Sequence, residues 1–259
     1  MDHEQDLRLL REMADAVMRV VKASPPERFG EELGIGADGT PTKLVDDLAE
    51  QEILRILRAR KKDKLNLLSE EAGFVDLKGE RLLVADPIDG TTNAARGIPF
   101  YCVSLGIGRK TLADVDVGLV VNLCTGDRYE AVAGQGATLN GRRIQVRAGA
   151  PKEHVWGATM GKGVDAFHPP GGGVVRSFGA SALEMCLVAS GSLDGYHYPR
   201  PILRVIDVAA STLIVREAGG VVLDRAGADL DMQLSLVPRF GLTAAPTKES
   251  AKAMMGAKP

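Results

Sequence analysis

Leu82-Leu83-Val84-Ala85-Asp86-Pro87-Ile88-Asp89-Gly90-Thr91-Thr92-Asn93 carries the decisive signal in this chain. Four consecutive apolar residues read as a short buried strand. Two aspartates stand just past its end, three positions apart. Pro87 fixes its own φ and disfavours helix at Asp86. A tight turn there aims both carboxylates at one point, with the Ile88 carbonyl between them. Gly90 lets the backbone approach a ligand closely. Gly90-Thr91-Thr92-Asn93 can open a helix or turn whose N–H groups cradle a phosphate. Oxygen-only donors suit Mg²⁺ or Mn²⁺ better than zinc. Taken alone, an Asp-x-x-Asp-Gly stretch is more simply read as an Asx-turn with a helix cap, so the surrounding chain has to decide.

Upstream, Leu65 to Leu68 is another short apolar run, and it too ends in acids, Ser69-Glu70-Glu71. Carboxylates at strand ends of mixed sheets commonly face a ligand crevice. Before it, apolar residues from Leu7 to Val21 and from Val45 to Leu57 recur at helical spacing,. Ser24-Pro25-Pro26 stops the first helix. Asp46 and Asp47 open the second, where the helix dipole favours negative charge. Between the two helices, Gly30 to Thr42 reads as a polar loop, either a plain connection or one that closes over a ligand.

Downstream, Tyr101 to Gly108, Val115 to Asn122 and Arg128 to Val132 read as a β-meander, and Asn140-Gly141 as a hairpin turn,. Strands are expected over 155–160, 193–198 and 221–223, and helices over 180–190, 207–218 and 247–255. Interleaved helices and strands imply a mixed α/β (α+β) fold in packed layers. The expected division is an α+β half over residues 1–150 that carries the acidic loops and an α/β half over residues 151–259.

Bulk properties narrow the partners. A net charge of −2 provides no general attraction to nucleic acid or anionic membrane, so an anionic substrate must be handled locally,. No apolar run approaches membrane-spanning length. Three scattered cysteines in no C-x-x-C pair argue against a disulfide framework or a zinc site and fit a cytoplasmic setting,. The four histidines are dispersed and read as structural or surface groups.

The Asp86–Asn93 stretch resembles the signature of the inositol monophosphatase family of Mg²⁺-dependent phosphatases. The resemblance extends to Ser69-Glu70-Glu71, Ile98-Pro99-Phe100, Gly136-Ala137 with Asn140-Gly141, and Phe178-Gly179-Ala180-Ser181. It continues through Asp194-Gly195-Tyr196 and Asp207-Val208-Ala209-Ala210 to Glu217-Ala218-Gly219-Gly220. Thr40-Pro41-Thr42-Lys43 and Leu203-Arg204-Val205-Ile206-Asp207 look like the archaeal branch, whose members often act on both inositol 1-phosphate and fructose 1,6-bisphosphate.

The resemblance implies a layered αβαβα sandwich of the sugar-phosphatase type and a homodimer. It implies that Glu70, Asp86 and the Ile88 carbonyl hold one Mg²⁺. Asp86, Asp89 and Asp207 would hold a second, with Asp38 a candidate ligand to a third, and Mn²⁺ able to substitute. Thr91 would orient the attacking water, bonded to Asp46, with Glu70 beside them in the catalytic set. Asp89, Gly90, Thr91, Gly179, Ala180 and Ser181 would meet the phosphate and sugar. In place of the glutamate that inositol-specific members carry seven residues before Asp207, this chain has Arg200. That favours a second phosphate, with Arg204 and Arg176 as further candidates. A surface ion pair explains Arg200 equally well. Competing readings are a phosphatase for 3′-phosphoadenosine 5′-phosphate or NADP, and a non-catalytic relative that binds a phosphorylated ligand.

Overall fold

Leu10, Met13, Ala14, Val17 and Val21 lie on one side of the first helix, and that side is buried. The computed structural model describes residues 3–37, 39–147, 149, 152–159 and 167–256, so Asp38 lies outside the described residues. In chain order the elements are α1 (His3–Ala23), β1 (Glu32–Ile35), β2 (Pro41–Lys43), α2 (Leu44–Ala59), β3 (Leu65–Ser69), β4 (Gly73–Val75), β5 (Arg81–Asp89), α3 (Thr91–Arg96), β6 (Cys102–Gly108), β7 (Val117–Asn122), β8 (Arg128–Val132), β9 (Gly136–Leu139), β10 (Arg142–Ile144), β11 (Val155–Ala158), β12 (Val174–Arg176), α4 (Ser181–Ala189), β13 (Gly195–Leu203), α5 (Val205–Glu217), β14 (Val221–Asp224), β15 (Phe240–Ala245) and α6 (Lys248–Gly256).

Eight strands form one sheet in the order β10-β9-β8-β7-β6-β5-β3-β4, and five form a second, β12-β11-β13-β15-β14. The two-residue period of a strand sends alternate side chains to opposite faces. Leu83, Ala85, Val103 and Leu105 pack toward α1 and α2. Leu82, Val84 and Cys102 face the other way, onto α4 and α5. The same interlayer core takes Tyr196, Val222 and Leu242 from the second sheet. That sheet's outer face sends Trp156, Leu223 and Ala245 against Ala251 and Met254 of α6. Three cores join five layers, the middle one spanning both faces of the α4–α5 layer, which is the αβαβα order.

The middle helices differ from α1 in kind. Every residue of α5 from Val205 to Val215 is buried. A helix with no polar face has to lie between two other layers. It lies close to the large sheet: a Cβ on Gly118 of β7 would stand 3.0 Å from the Ala210 carbonyl oxygen. That approach fixes where the start of α5, and with it Asp207, meets the end of β5.

Several elements depart from the sequence expectation. The Gly30–Thr42 segment is not a plain loop but contains the exposed β1–β2 hairpin. It is tied down where Ala37 N–H donates to the Glu71 carbonyl at 2.9 Å and the Thr42 hydroxyl meets the Glu71 carboxylate. The strand through Leu82–Ala85 does not stop in a tight turn; β5 continues to Asp89. Asp86 pairs with Ser104 and Asp89 with Cys102, so one extra residue is accommodated as a bulge,. Pro87, with no N–H to donate, suits that break in the ladder. β13 runs on from Tyr198 to Leu203 past two prolines, and β15, paired between β13 and β14 in the second sheet, had no sequence signal.

Candidate active site

The bulge that re-aims the β5 end also opens a chamber of about 380 Å³. Its wall is assembled from Glu70 after β3, Asp86, Ile88 and Asp89 from β5, Gly90, Thr91 and Thr92 entering α3, Gly179 and Ser181 entering α4, and Arg204 and Asp207 at the start of α5. Thr159, Tyr198 and Leu203 complete it. Gly90 has φ +90°, and a Cβ there would lie 3.1 Å from both the Ala180 Cβ and the Phe100 carbonyl oxygen. Only glycine turns the chain here without a clash.

The carboxylates are held by specific donors. Asp86 Oδ1 accepts the Ile88 N–H at 3.1 Å. Asp89 accepts the Ser181 N–H at 3.2 Å and the Ala182 N–H at 2.7 Å, both at the start of α4. Asp207 Oδ2 accepts the Arg204 N–H at 2.7 Å, closing a cap on α5. Behind the chamber, the Thr91 hydroxyl stands 2.9 Å from Asp46 Oδ1 and 2.9 Å from the Ile88 carbonyl oxygen, both acceptors for its single proton. Opposite, the Tyr196 hydroxyl links Ser181 Oγ at 3.0 Å and Thr159 Oγ1 at 2.7 Å.

Burial, then the charges of Glu70, Asp89 and Asp207, raises the Asp86 carboxyl well above the ordinary carboxylate range. Burial followed by Asp207 pushes Asp89 up to about 8. Burial raises Asp46 to about 7, its Thr91 hydrogen bond opposing, and raises Glu184, under the Phe178 and Gly179 N–H groups, to about 7. Burial works against the Arg204 charge, yet Asp207 and Glu70 outweigh it and hold the guanidinium more firmly charged than usual. The donor set fits a divalent cation: oxygen-only ligands, with a surplus of mutually repelling carboxylates that such an ion would relieve.

A pH dependence follows. Asp46, Asp89 and Glu184 hold their protons more tightly folded than unfolded, so their protonation stabilises the fold at low pH and that stabilisation disappears as pH rises through 7 to 8,. The chelator-treated protein is expected to melt about 5 °C or more lower at pH 8 than at pH 5. Calorimetry across that interval checks it; a midpoint that climbs instead would refute the electrostatic account.

Three expected contacts are displaced from the chamber. Ala180 is fully buried behind Gly90. Arg176 ends β12 in an exposed position and bonds the Val175 carbonyl, while Arg200 is half-buried in β13; neither lines the chamber. Arg204 does line it, bonded to Glu70 and Asp207. Thr159, Tyr198 and Leu203 were not expected there, whereas Thr92 was, as part of the Gly90–Asn93 segment. Alternation along β13 places Tyr196 and Tyr198 on one face, which is the signal that could have found the latter. Beside the chamber, Thr40, Ile202 and Arg239 line a smaller one of about 290 Å³ that shares Glu70, Arg204 and Asp207 with it.

A five-layered sandwich with carboxylates gathered at the junction of β5 and α5 is the architecture of the metal-dependent sugar phosphatases. Residues 2–257 match the inositol monophosphatase family, and the chain belongs to that family, whose members hydrolyse phosphoric monoesters with the help of metal ions. It is 38% identical to a fructose-1,6-bisphosphatase/inositol-1-monophosphatase of Methanothermobacter thermautotrophicus, covering 94% of this chain and 92% of that one. It is 37% identical to a protein of the same description from Archaeoglobus fulgidus, covering 96% of each. Among solved structures, an inositol monophosphatase–fructose 1,6-bisphosphatase superposes with a TM-score of 0.87 at 31% identity, over 97% of this chain and 98% of that one.

Proposed function

We propose that this protein hydrolyses fructose 1,6-bisphosphate and inositol 1-phosphate with Mg²⁺ as cofactor. The observation that carries the reading is the Thr91 hydroxyl, fixed by Asp46 and the Ile88 carbonyl at the edge of a chamber walled by Glu70, Asp86, Asp89 and Asp207. The names of the archaeal relatives support the substrate choice. Glu70, Asp86, the Ile88 carbonyl, Asp89 and Asp207 are the groups that would hold two or three Mg²⁺, or Mn²⁺ in their place. Such ions, when bound, neutralise phosphate charge and make water a stronger nucleophile near neutral pH.

The chain's own groups do the rest. Thr91 Oγ1 presents a lone pair that accepts a hydrogen bond from the attacking water and orients it; as the water's proton moves onto Oγ1, the hydroxyl's own proton passes to the Asp46 carboxylate, while the Ile88 carbonyl serves only as a hydrogen-bond acceptor. Asp46, a carboxyl poised to about 7, is matched to taking up that proton near neutral pH. The bare backbone of Gly90 leaves room for the phosphoryl oxygens. Ser181, Thr159 and Tyr198 offer hydroxyls to the sugar, and Arg204 and Arg239 in the joined chambers are the cations available to a second phosphate. Residues 151–259 thus supply Asp207 and the sugar-facing wall to metal-binding loops from residues 1–150. A homodimer in the cytoplasm completes the reading.

Phosphate release with Mg²⁺ over a panel tests it. Fructose 1,6-bisphosphate and inositol 1-phosphate are expected to exceed 3′-phosphoadenosine 5′-phosphate and NADP in kcat/KM by at least about tenfold, because among the described residues the chamber wall carries one aromatic ring, Tyr198, and no second ring to sandwich an adenine,. Preference for NADP would favour the nucleotide alternative, and absence of any turnover would favour a binding relative.

A further inference from the structure

The acidic wall already holds a cation of its own. Arg204 Nη1 donates to Glu70 Oε1 at 2.7 Å. Its Nη2 and Nε donate to Asp207 Oδ1 at 2.9 and 3.1 Å. All three side chains are largely shielded: 15% exposed for Arg204, 18% for Glu70 and 11% for Asp207. Among the described residues, no three Asp, Glu, His or Cys side chains close into a ring that could hold one ion as they stand. A guanidinium stands instead between two of the carboxylates. Arg204 is 134 positions from Glu70, so this fork joins the end of β3 to the start of α5, elements with no covalent reason to stay together. A planar fork can hold two carboxylates at once, which a lysine ammonium does less well.

We propose that Arg204 is a positioning residue acting as the exchangeable counter-cation of the site. In the metal-free protein it gathers Glu70 and Asp207, and a binding divalent ion displaces it from them. Two positive groups cannot share those oxygens without strong repulsion in a shielded site. The adjoining chamber of about 290 Å³, whose wall already includes Arg204, gives the side chain somewhere to turn. The cation affinity of the site is then a difference: what the carboxylates gain from the ion, less what they lose with the guanidinium. Apo stability and metal affinity become linked through one residue, and what one loses on substitution the other gains. The inference rests on Glu70 and Asp207 being metal ligands, and on no particular substrate.

Calorimetric titration with Mg²⁺ alone and thermal melts with and without saturating Mg²⁺ test it on wild type, Arg204→Met and Arg204→Lys. Arg204→Met keeps the unbranched stem and drops the guanidinium with its charge. It is expected to bind Mg²⁺ about tenfold or more tightly, to melt lower in chelator, and to melt within about 2 °C of wild type in saturating Mg²⁺. Arg204→Lys should fall between the two, and it carries the test should the methionine variant fail to fold. Equal loss of midpoint with and without Mg²⁺ would show a fixed structural bridge and overturn the proposal. Unchanged or weaker Mg²⁺ binding would overturn it too. A wild type that binds no Mg²⁺ would sink the metal reading along with it. Mg²⁺ binding as expected with no sugar phosphate hydrolysed would instead count against the proposed function alone.

Discussion

Replacing Asp86 by asparagine is expected to cut phosphate release by on the order of a thousandfold or more while raising the melting temperature of the metal-free protein. Both effects come from the same surroundings. Asp86 is 2% exposed, and burial with the charges of Glu70, Asp89 and Asp207 holds its carboxyl far above the usual range. Asparagine keeps the shape and the oxygen that accepts the Ile88 N–H, but removes a charge that its neighbours repel. The relief is on the order of 1 to 2 kcal/mol, a few degrees in melting temperature for a chain of this size. It should grow with pH, because a protonated aspartate and an asparagine carry the same charge. The repulsion that destabilises the empty fold is what a divalent cation would relieve, so Mg²⁺ binding should weaken in the variant that melts higher. Near-normal turnover would remove Asp86 from the ligand set, and a lower melting temperature at every pH would refute the electrostatic argument.

Thr91→Ala comes second in size. Its hydroxyl has two acceptors, Asp46 and the Ile88 carbonyl, which fix its lone pair for the attacking water. Loss of about a hundredfold in kcat with KM within about threefold is expected, since the hydroxyl acts on the water and not on substrate binding. Asp46→Asn should behave alike. The double variant should be little worse than either single one, because the two groups work as a unit. Thr91→Ser should recover most of the loss. Steady-state kinetics on the four variants decides: a raised KM with kcat intact would make Thr91 a substrate contact instead.

Much of this site was legible because its first half is local. Asp86, Ile88, Asp89, Gly90 and Thr91 lie within six positions, and short-range backbone constraints, a proline that cannot donate and a glycine at positive φ, already aim them together. The helices α2, α4 and α5 were visible from apolar spacing within two residues at each end, and α1 with its start placed four residues late. β15 was not, because Gly241 and two alanines have weak strand preference, and only pairing with β13 and β14 makes the segment a strand,. The arginines fared worst. Arg176, Arg200 and Arg204 look alike in a sequence, yet one is exposed at the end of a strand, one is half-buried outside the chamber and one is clamped between two carboxylates. Arg239, at the rim of the second chamber, had no local signal at all.

Sequence by itself determined the layered class, the pair of aspartates closing β5, the oxygen-only donor chemistry and the family. Those depend on residue type and on neighbours a few positions apart, where propensity and covalent geometry act directly. Tertiary structure alone decided that Glu70 and Asp207 share a wall with Asp86, that β5 bulges instead of ending, and that Arg204 stands between two carboxylates. Those contacts exist because α5, apolar on all sides, has to be buried between two sheets. Where it is pressed against Gly118 sets the distance between charges that the chain leaves more than a hundred positions apart.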